Sequence, residues 1–304
     1  MSESSSLDQP FVRMARATNQ TQKYGIIICI TALLMFAVQD LLTKILVKDY
    51  EVAQLVMIRF WIFAVFSTLI ALSCIGWRRA LFARRPGLQI GRSALLILEI
   101  AIFAMGLAYL GLAEMHASFA TSPLIATAIA PFILSEKVGW RRWAAVFVGF
   151  IGALIIIRPG LTVFQPNIFF PLTCAFMFAL YYILTRLGSR NDHAMTSIFY
   201  LGWVGVVLTT PFGFLAWKTP DTEGWFLLMG LGFAGLVGHM LLVFALERTP
   251  ASTLQPLNYL LLVWATCLGY LAFGELPDFA TVTGATVIIM SGLYVMLRAP
   301  AVKS

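Results

Sequence analysis

Charge is scarce in this chain, and so are histidine and paired cysteine. Of 304 residues only 12% are charged, against roughly 25% in an ordinary soluble domain. A soluble fold of this length has no core large enough to hide an apolar content of 60%. Lipid is the natural solvent for it. The four cysteines, Cys29, Cys74, Cys174 and Cys267, lie in or beside apolar runs and form no CxxC pair. They read as small apolar side chains. The three histidines, His116, His193 and His239, are scattered far from them, so no metal site is expected. No GxxxxGK[ST] occurs, which removes the ATP-binding loop of a pump. The net charge of +7 sits in short segments between apolar runs. Nucleic acid needs a continuous basic face, so no nucleic-acid partner is expected.

What is there is a succession of apolar stretches. A helix crosses the hydrocarbon core with about 20 residues. Ten stretches of that size can be marked, over 25–45, 51–75, 93–113, 115–135, 141–158, 165–186, 194–217, 224–246, 250–274 and 279–297. They do not alternate with period two, as barrel strands would. Helices satisfy every backbone polar group inside lipid. The expectation is an all-α membrane protein of ten transmembrane helices. Residues 1–24, Ser-rich and ending in Arg13, Arg16 and Lys23, read as a disordered cytoplasmic tail rather than a cleaved signal. With the N-terminus inside, the cytoplasmic segments hold most of the Lys and Arg, Arg78, Arg79, Arg84, Arg85 and Arg92 among them. The external ones hold Lys48, Arg158 and Lys218. That asymmetry puts both termini in the cytoplasm of a multi-pass inner-membrane protein.

The two halves resemble each other. Leu42-Thr43-Lys44 matches Leu184-Thr185-Arg186. Glu114 stands nine residues before Pro123, and Glu247 nine before Pro256. Glu136 ends the fourth stretch and Glu275 the ninth. Residues 25–158 and 165–298 are therefore read as two five-helix repeats. Five is odd, so the second is inverted. Inverted repeats mark secondary transporters, with the substrate near the midplane between halves.

LSEKVGWRRWAAVFVGFIGALIIIRPG in the first half, FGELPD with VIIMSGLYVMLR in the second, and DLLTK near the first stretch resemble the EamA-like branch of the drug/metabolite transporter superfamily. The resemblance runs over nearly the whole chain. It implies the ten-helix repeat fold and transport of a small organic molecule without ATP, any cofactor or any catalytic residue. PLNYLLLVWATCLGYLAFGELPD resembles importers of riboflavin and of S-adenosylmethionine more than amino-acid exporters. The overall look is most similar to proteobacterial riboflavin transporters. One departure stands out: where Pro123 precedes Glu136 by 13 residues, Leu262 precedes Glu275, and the proline lies earlier, at Pro256.

Ionisable residues inside spans are costly and mark functional sites. Asp40, Lys44, Arg59, Glu99 and His239 are the candidates. Rise per residue places Asp40 about 8 Å and Arg59 about 12 Å below the outer edge. They form a candidate charge pair or gate, with Lys44 one turn after Asp40. Glu99 and His239 fall at similar depth near the inner side and are a candidate proton site. Pro123, Pro131 and Pro256 open helices, and Gln39, Thr121, Gln255 and Asn258 lie near those breaks or near Asp40. Tyr109, Tyr181, Tyr182, Tyr259 and Trp264 are rings placed to stack on a flat substrate. Gln39, Asn258, Tyr259 and Trp264 are the proposed substrate contacts. The glycines Gly230, Gly232, Gly235 and Gly238 follow no strand and read as close helix packing, within one bundle or in a homodimer.

Riboflavin uptake is the first functional expectation. Export of amino acids or other metabolites and S-adenosylmethionine import are the alternatives on the same fold. The expected partners are a small-molecule substrate and the lipid bilayer.

Overall fold

The computed structural model describes residues 8–134, 140–157, 167, 169–188, 192–248 and 254–297. Every regular element among them is helical. The order is α1 (Asp8–Leu46), α2 (Val52–Leu81), α3 (Pro86–Leu107), α4 (Leu112–Phe119), α5 (Ser122–Leu134), α6 (Trp140–Ile157), α7 (Phe169–Gly188), α8 (Ala194–Leu215), α9 (Thr222–Arg248), a 3₁₀ turn (Gln255–Tyr259), α10 (Leu260–Phe273) and α11 (Phe279–Leu297). Five helical stretches are long and apolar enough to cross a membrane: Lys23–Leu46, Val52–Leu81, Pro86–Leu107, Met195–Leu215 and Thr222–Leu242. Their outward faces are apolar. Leu215 is 87% exposed, Phe226 76% and Val207 68%. A surface of that kind is stable against acyl chains and not against water. The chain is a multi-pass membrane protein.

Several boundaries follow from local chemistry. The helical backbone of α1 already begins at Asp8, so part of the expected tail is continuous with it. α2 carries a break at Gly76, whose φ of 74° a side chain rarely adopts. The apolar span therefore ends near residue 75, as the sequence predicts, and Trp77–Leu81 turns away. α3 starts seven residues before the predicted limit, because Pro86 occupies its first turn, where the missing amide costs nothing. The predicted fourth span is broken. α4 ends at Phe119, and Thr121 bonds the Ser118 carbonyl through both its amide and its hydroxyl, at 3.2 and 2.8 Å. Pro123 then opens α5. The 3₁₀ turn at Gln255–Tyr259 precedes α10 in the same way, with Pro256 in its first turn. Glu136, Lys137 and the Arg158-Pro159 corner, and the side chains of Pro131, Gln255 and Pro256, lie outside the described residues.

The helices pack in a pattern that maps onto itself when the halves are exchanged. α1 packs on α9 as α7 packs on α3. α1 touches α10, and α7 touches α4 and α5. α2 with α8, and α6 with α11, are the two pairs that exchange into themselves. Glycines allow the close approaches. A Cβ on Gly152 would stand 2.9 Å from the Gly284 carbonyl oxygen, and one on Gly205 would meet the Phe60 ring. Gly232, Gly235 and Gly238 of α9 face Ile62, Gln39 and Phe36. In lipid, packing of this kind replaces the hydrophobic drive between helices.

Candidate functional site

Three groups of buried polar residues lie along the contact between the halves. The central one is built by α1, α2, α3 and α4. Gln39 and Asp40 are consecutive on α1, and the Gln39 amide donates to Asp40 Oδ1 at 3.1 Å. The second carboxylate oxygen faces His116 Nε2 of α4 at 3.2 Å. That is an ion-pair distance, but the alignment is not that of a hydrogen bond, and His116 Nε2 has no bonding partner. Arg59 of α2 and Glu99 of α3 complete the group, with Asp40 and Glu99 both within electrostatic reach of the guanidinium. Gln39, Asp40, Arg59, Glu99 and His116 are all at least nine-tenths buried. The Gln39 carbonyl and Arg59 Nε both lie beside Gly235 of α9, the glycine that lets α9 close over them. Ser118, 1% exposed, leaves its hydroxyl unbonded.

Depth along two separate helices anticipates an Asp40–Arg59 ion pair. The described contacts give Arg59 no ion pair or hydrogen bond, and Asp40 turns to His116 instead. The expected approach of Glu99 to His239 is also absent from them. His239 Nδ1 bonds the Gly235 carbonyl at 2.9 Å, and its ring sits between the edges of Phe36 and Phe63. Helix rotation decides which residues at one depth meet, and a single sequence does not carry it.

The second group lies at the Leu46 end of α1. Lys44 Nζ is 2.6 Å from both oxygens of Glu275 and 3.2 Å from the Leu110 carbonyl, and rests over the Phe273 ring at 4.9 Å. Glu275 is held there by the end of α10. Gly274 adopts φ 68° and its amide bonds the Tyr270 carbonyl at 2.9 Å, a left-handed helix stop that glycine permits. This ion pair joins the first half to the second. The sequence marks Glu275 only as a repeat landmark. Its partner is visible only in space, since 231 positions separate the two.

The third group centres on Arg92, which charge counting assigns to a cytoplasmic segment. It is instead 2% exposed. Its guanidinium donates to Gln89 Oε1 at 2.7 Å, to the Thr185 hydroxyl at 3.2 Å and to the Ser197 carbonyl at 2.8 Å. Gln89 in turn donates to Asp192 at 2.9 Å. These bonds tie α3 to α7 and α8, again across the halves. The signal was there: Gln89 and Arg92 are three residues apart on a helix opened by Pro86, and so share a face.

A track of rings connects the central group to Arg92. Phe103 lies 5.2 Å from His116 and 5.6 Å from Phe119, Phe119 lies 5.3 Å from Phe178, and Phe178 lies 6.0 Å from Tyr181. The Tyr181 ring is 5.8 Å from Arg92. The proposed contacts on the 3₁₀ turn and α10 sit elsewhere. Tyr259 is 7% exposed with its hydroxyl against Gly292 of α11, and Trp264 packs with Cys29, Leu33 and Leu254. Both leave a buried polar atom unbonded, and no described bond joins either to Asp40 or Arg59. Asn258 lies on the same turn. Tyr109 is exposed and stacks on Phe170.

Comparison with known proteins agrees with this architecture. One solved crystal structure superposes with a TM-score of 0.65 over 92% of this chain and 99% of its own, at 18% identity, so the fold is shared. An S-adenosylmethionine uptake transporter of Rickettsia prowazekii is 27% identical over 91% of this chain and 94% of its own length. A riboflavin transporter of Vibrio cholerae is 31% identical over 74% of this chain and 76% of its own, and one of Brucella anthropi is 29% identical over 79% and 87%. The model of the EamA-like transporter family matches twice, over residues 23–158 and 165–298, the same two stretches whose helices exchange in the packing. The chain belongs to the EamA-like transporter family.

Proposed function

We propose that this protein is a secondary transporter that takes up a small, ring-bearing organic metabolite. The observation that carries the reading is the buried polar group of the first half, closed over by Gly235 of α9 in the second and continued by a track of aromatic rings. In this reading ten spans form two inverted repeats, with both termini in the cytoplasm. The Lys44–Glu275 pair then lies at the external side and the Arg92 network at the cytoplasmic side. Each ties one half to the other, and each must open for the central group to reach its own side of the membrane. The residues the sequence singled out as charge pair or gate thus divide: Lys44 belongs to the external closure, Asp40 and Arg59 to the central site.

Two substrates are supported. Riboflavin is the expectation from sequence, and riboflavin transporters are among the relatives. S-adenosylmethionine is favoured by relatives matching nearly the whole chain, and by the buried charges. The test is uptake of each labelled compound by proteoliposomes containing the purified protein. Saturable uptake of either, competed by the unlabelled compound, supports the reading. Absence of saturable uptake of both by inserted, folded protein rejects it, and export of amino acids is then assayed in the same vesicles.

A further inference from the structure

α2 is longer than a bilayer needs. From Val52 to Ile75 it rises about 36 Å at about 1.5 Å per residue, which already exceeds a hydrocarbon core of about 30 Å. Gly76, with φ 74° and ψ 163°, breaks the helix at that level. The chain that follows, 77–85, reads WRRALFARR. Its inner side is fixed to α8. Ala80 is fully buried with Ala71, Met195 and Phe199. The Thr196 hydroxyl donates to the Arg79 carbonyl at 2.9 Å, and the Tyr200 hydroxyl to the Leu81 carbonyl at 2.7 Å. The Arg84 amide donates to Asp192 Oδ1 at 2.8 Å. A freely solvated loop would have none of these ties.

Its outer side is charged and aromatic at once. Arg78, Arg79, Arg84 and Arg85 are exposed, and so are Trp77, at 56%, and Phe82, at 78%. Among the described residues none of the four guanidinium groups meets a carboxylate; the ion pairs found are Lys44–Glu275 and Asp40–His116. Asp192, the carboxylate bonded to this corner, spends one oxygen on the Arg84 amide and the other on Gln89. The four positive charges are left without a counter-charge, and a guanidinium does not shed its proton. Water favours neither exposed ring, and acyl chains do not take arginine. The headgroup layer of a bilayer takes both. Aromatic rings settle at its depth, guanidinium forks bind phosphate through paired hydrogen bonds, and basic clusters directly beyond a spanning helix are drawn to an anionic leaflet. An acidic protein surface would satisfy the arginines, but it would have to reach rings set where α2 leaves the hydrocarbon.

We propose that Trp77, Arg78, Arg79, Phe82, Arg84 and Arg85 form a docking surface for anionic phospholipid headgroups, the arginines taking the phosphates and the two rings lying beside the acyl chains. The surface adjoins the network around Arg92. Thr196, which holds the Arg79 carbonyl, precedes Ser197, whose carbonyl accepts from Arg92. Asp192 receives both the Arg84 amide and Gln89, the partner of Arg92. A lipid that steadies 77–85 therefore steadies the Arg92 network as well. The inference goes beyond the transport reading and rests on it only in placing this end in the cytoplasm, so lipid binding is measured without transport.

The full chain, with its four native cysteines replaced by alanine, is labelled with a fluorophore at Gly87→Cys, where an added Cβ meets nothing within 4 Å. It is placed in nanodiscs of phosphatidylcholine with a minority of phosphatidylglycerol, and one lipid or the other carries bromine, which quenches the label on contact. Phosphatidylglycerol is expected to be enriched at the label roughly fivefold over its bulk share, and the enrichment should shrink in high salt. A label at Leu215→Cys, at the far end of α8, should show no enrichment. Replacing Arg78, Arg79, Arg84 and Arg85 by Gln should abolish the preference. Replacing the same four by Lys should keep most of it and guards against misfolding of the glutamine variant. The unlabelled chain should melt at a higher temperature with phosphatidylglycerol than without it, by mass action, and Thr196→Val with Tyr200→Phe should lose that gain while keeping the lipid preference. Equal quenching by the two lipids, or a preference that survives the glutamine substitutions, overturns the docking surface. Displacement of the lipid by glycerol phosphate, or by polyglutamate at equal charge, overturns it in favour of a soluble anion or an acidic protein. A thermal gain that outlasts the loss of both hydroxyls upholds the docking surface and overturns its link to Arg92. None of these outcomes bears on the transport reading, which uptake tests by itself.

Discussion

Lys44 holds an ion pair that is buried on one side and half-exposed on the other, with side-chain exposures of 9% and 39%. Its worth lies between the small value of a surface pair and the several kcal/mol of a buried one, about 1–2 kcal/mol. Glu275→Gln should remove the negative charge facing Lys44, leaving it neutral acceptors alone, and weaken closure at that end. Uptake is expected to fall roughly tenfold, in keeping with that energy, while the reversed pair Lys44→Glu with Glu275→Lys recovers part of it. Equal losses in the single and double variants would show that the pair does not act as a unit. Glu99 bears on coupling. With His239 committed to the Gly235 carbonyl, Glu99 remains as the proton-site candidate, and Glu99→Gln should abolish stimulation of uptake by an imposed pH gradient. Gradient dependence that survives the substitution removes Glu99 from that role. Both residues were legible as intramembrane charges. Their partners were not, because a partner is set by how two helices are rotated against each other.

Glycine decides the geometry of whole helices at a few positions. α6 and α11 approach until Gly152 and Gly284 meet, backbone to backbone. A methyl on Gly152 would press on the Gly284 carbonyl, Ile288 and Val287, and the backbone cannot yield cheaply. Gly152→Ala should therefore lower the thermal stability of the purified protein, by about 1–3 kcal/mol on the scale of overpacked cores. An unchanged melting temperature would mean that the two helices separate freely. Gly274 works differently: it has open space around it but a left-handed backbone. Gly274→Ala should cost about 1 kcal/mol and displace Glu275, so its uptake defect should resemble that of Glu275→Gln. The short elements repeat the lesson. Pro123 and Pro256 announce that the fourth and ninth spans are interrupted. The actual turns, Ala120–Thr121 and Gln255–Tyr259, follow from hydrogen bonds that proline leaves the backbone free to make.

At the scale of the molecule the packing reads the same from either half, and both end networks bridge the halves. A cross-linker between cysteines placed at Lys44 and Glu275, in a chain whose four native cysteines are replaced by alanine, should block uptake until it is cleaved. Undiminished uptake by the cross-linked protein would rule out opening at that end. Topology has its own check: reporters fused to the N- and C-termini should both report the cytoplasmic side, and opposite sides would refute an even number of spans.

The sequence alone determined the solvent, the helical class, the repeat and the intramembrane charges, because each depends on composition or on spacing along one chain. Lipid demands apolar stretches of a set length, and duplication leaves its landmarks at a common offset. The tertiary structure decided that Lys44 meets Glu275, that Arg92 is a buried hub rather than a loop charge, that His116 joins Asp40, and that Arg59 and Glu99 are left open. Those outcomes turn on which faces of different helices are pressed together, and side chains tens to hundreds of positions apart carry no local trace of it.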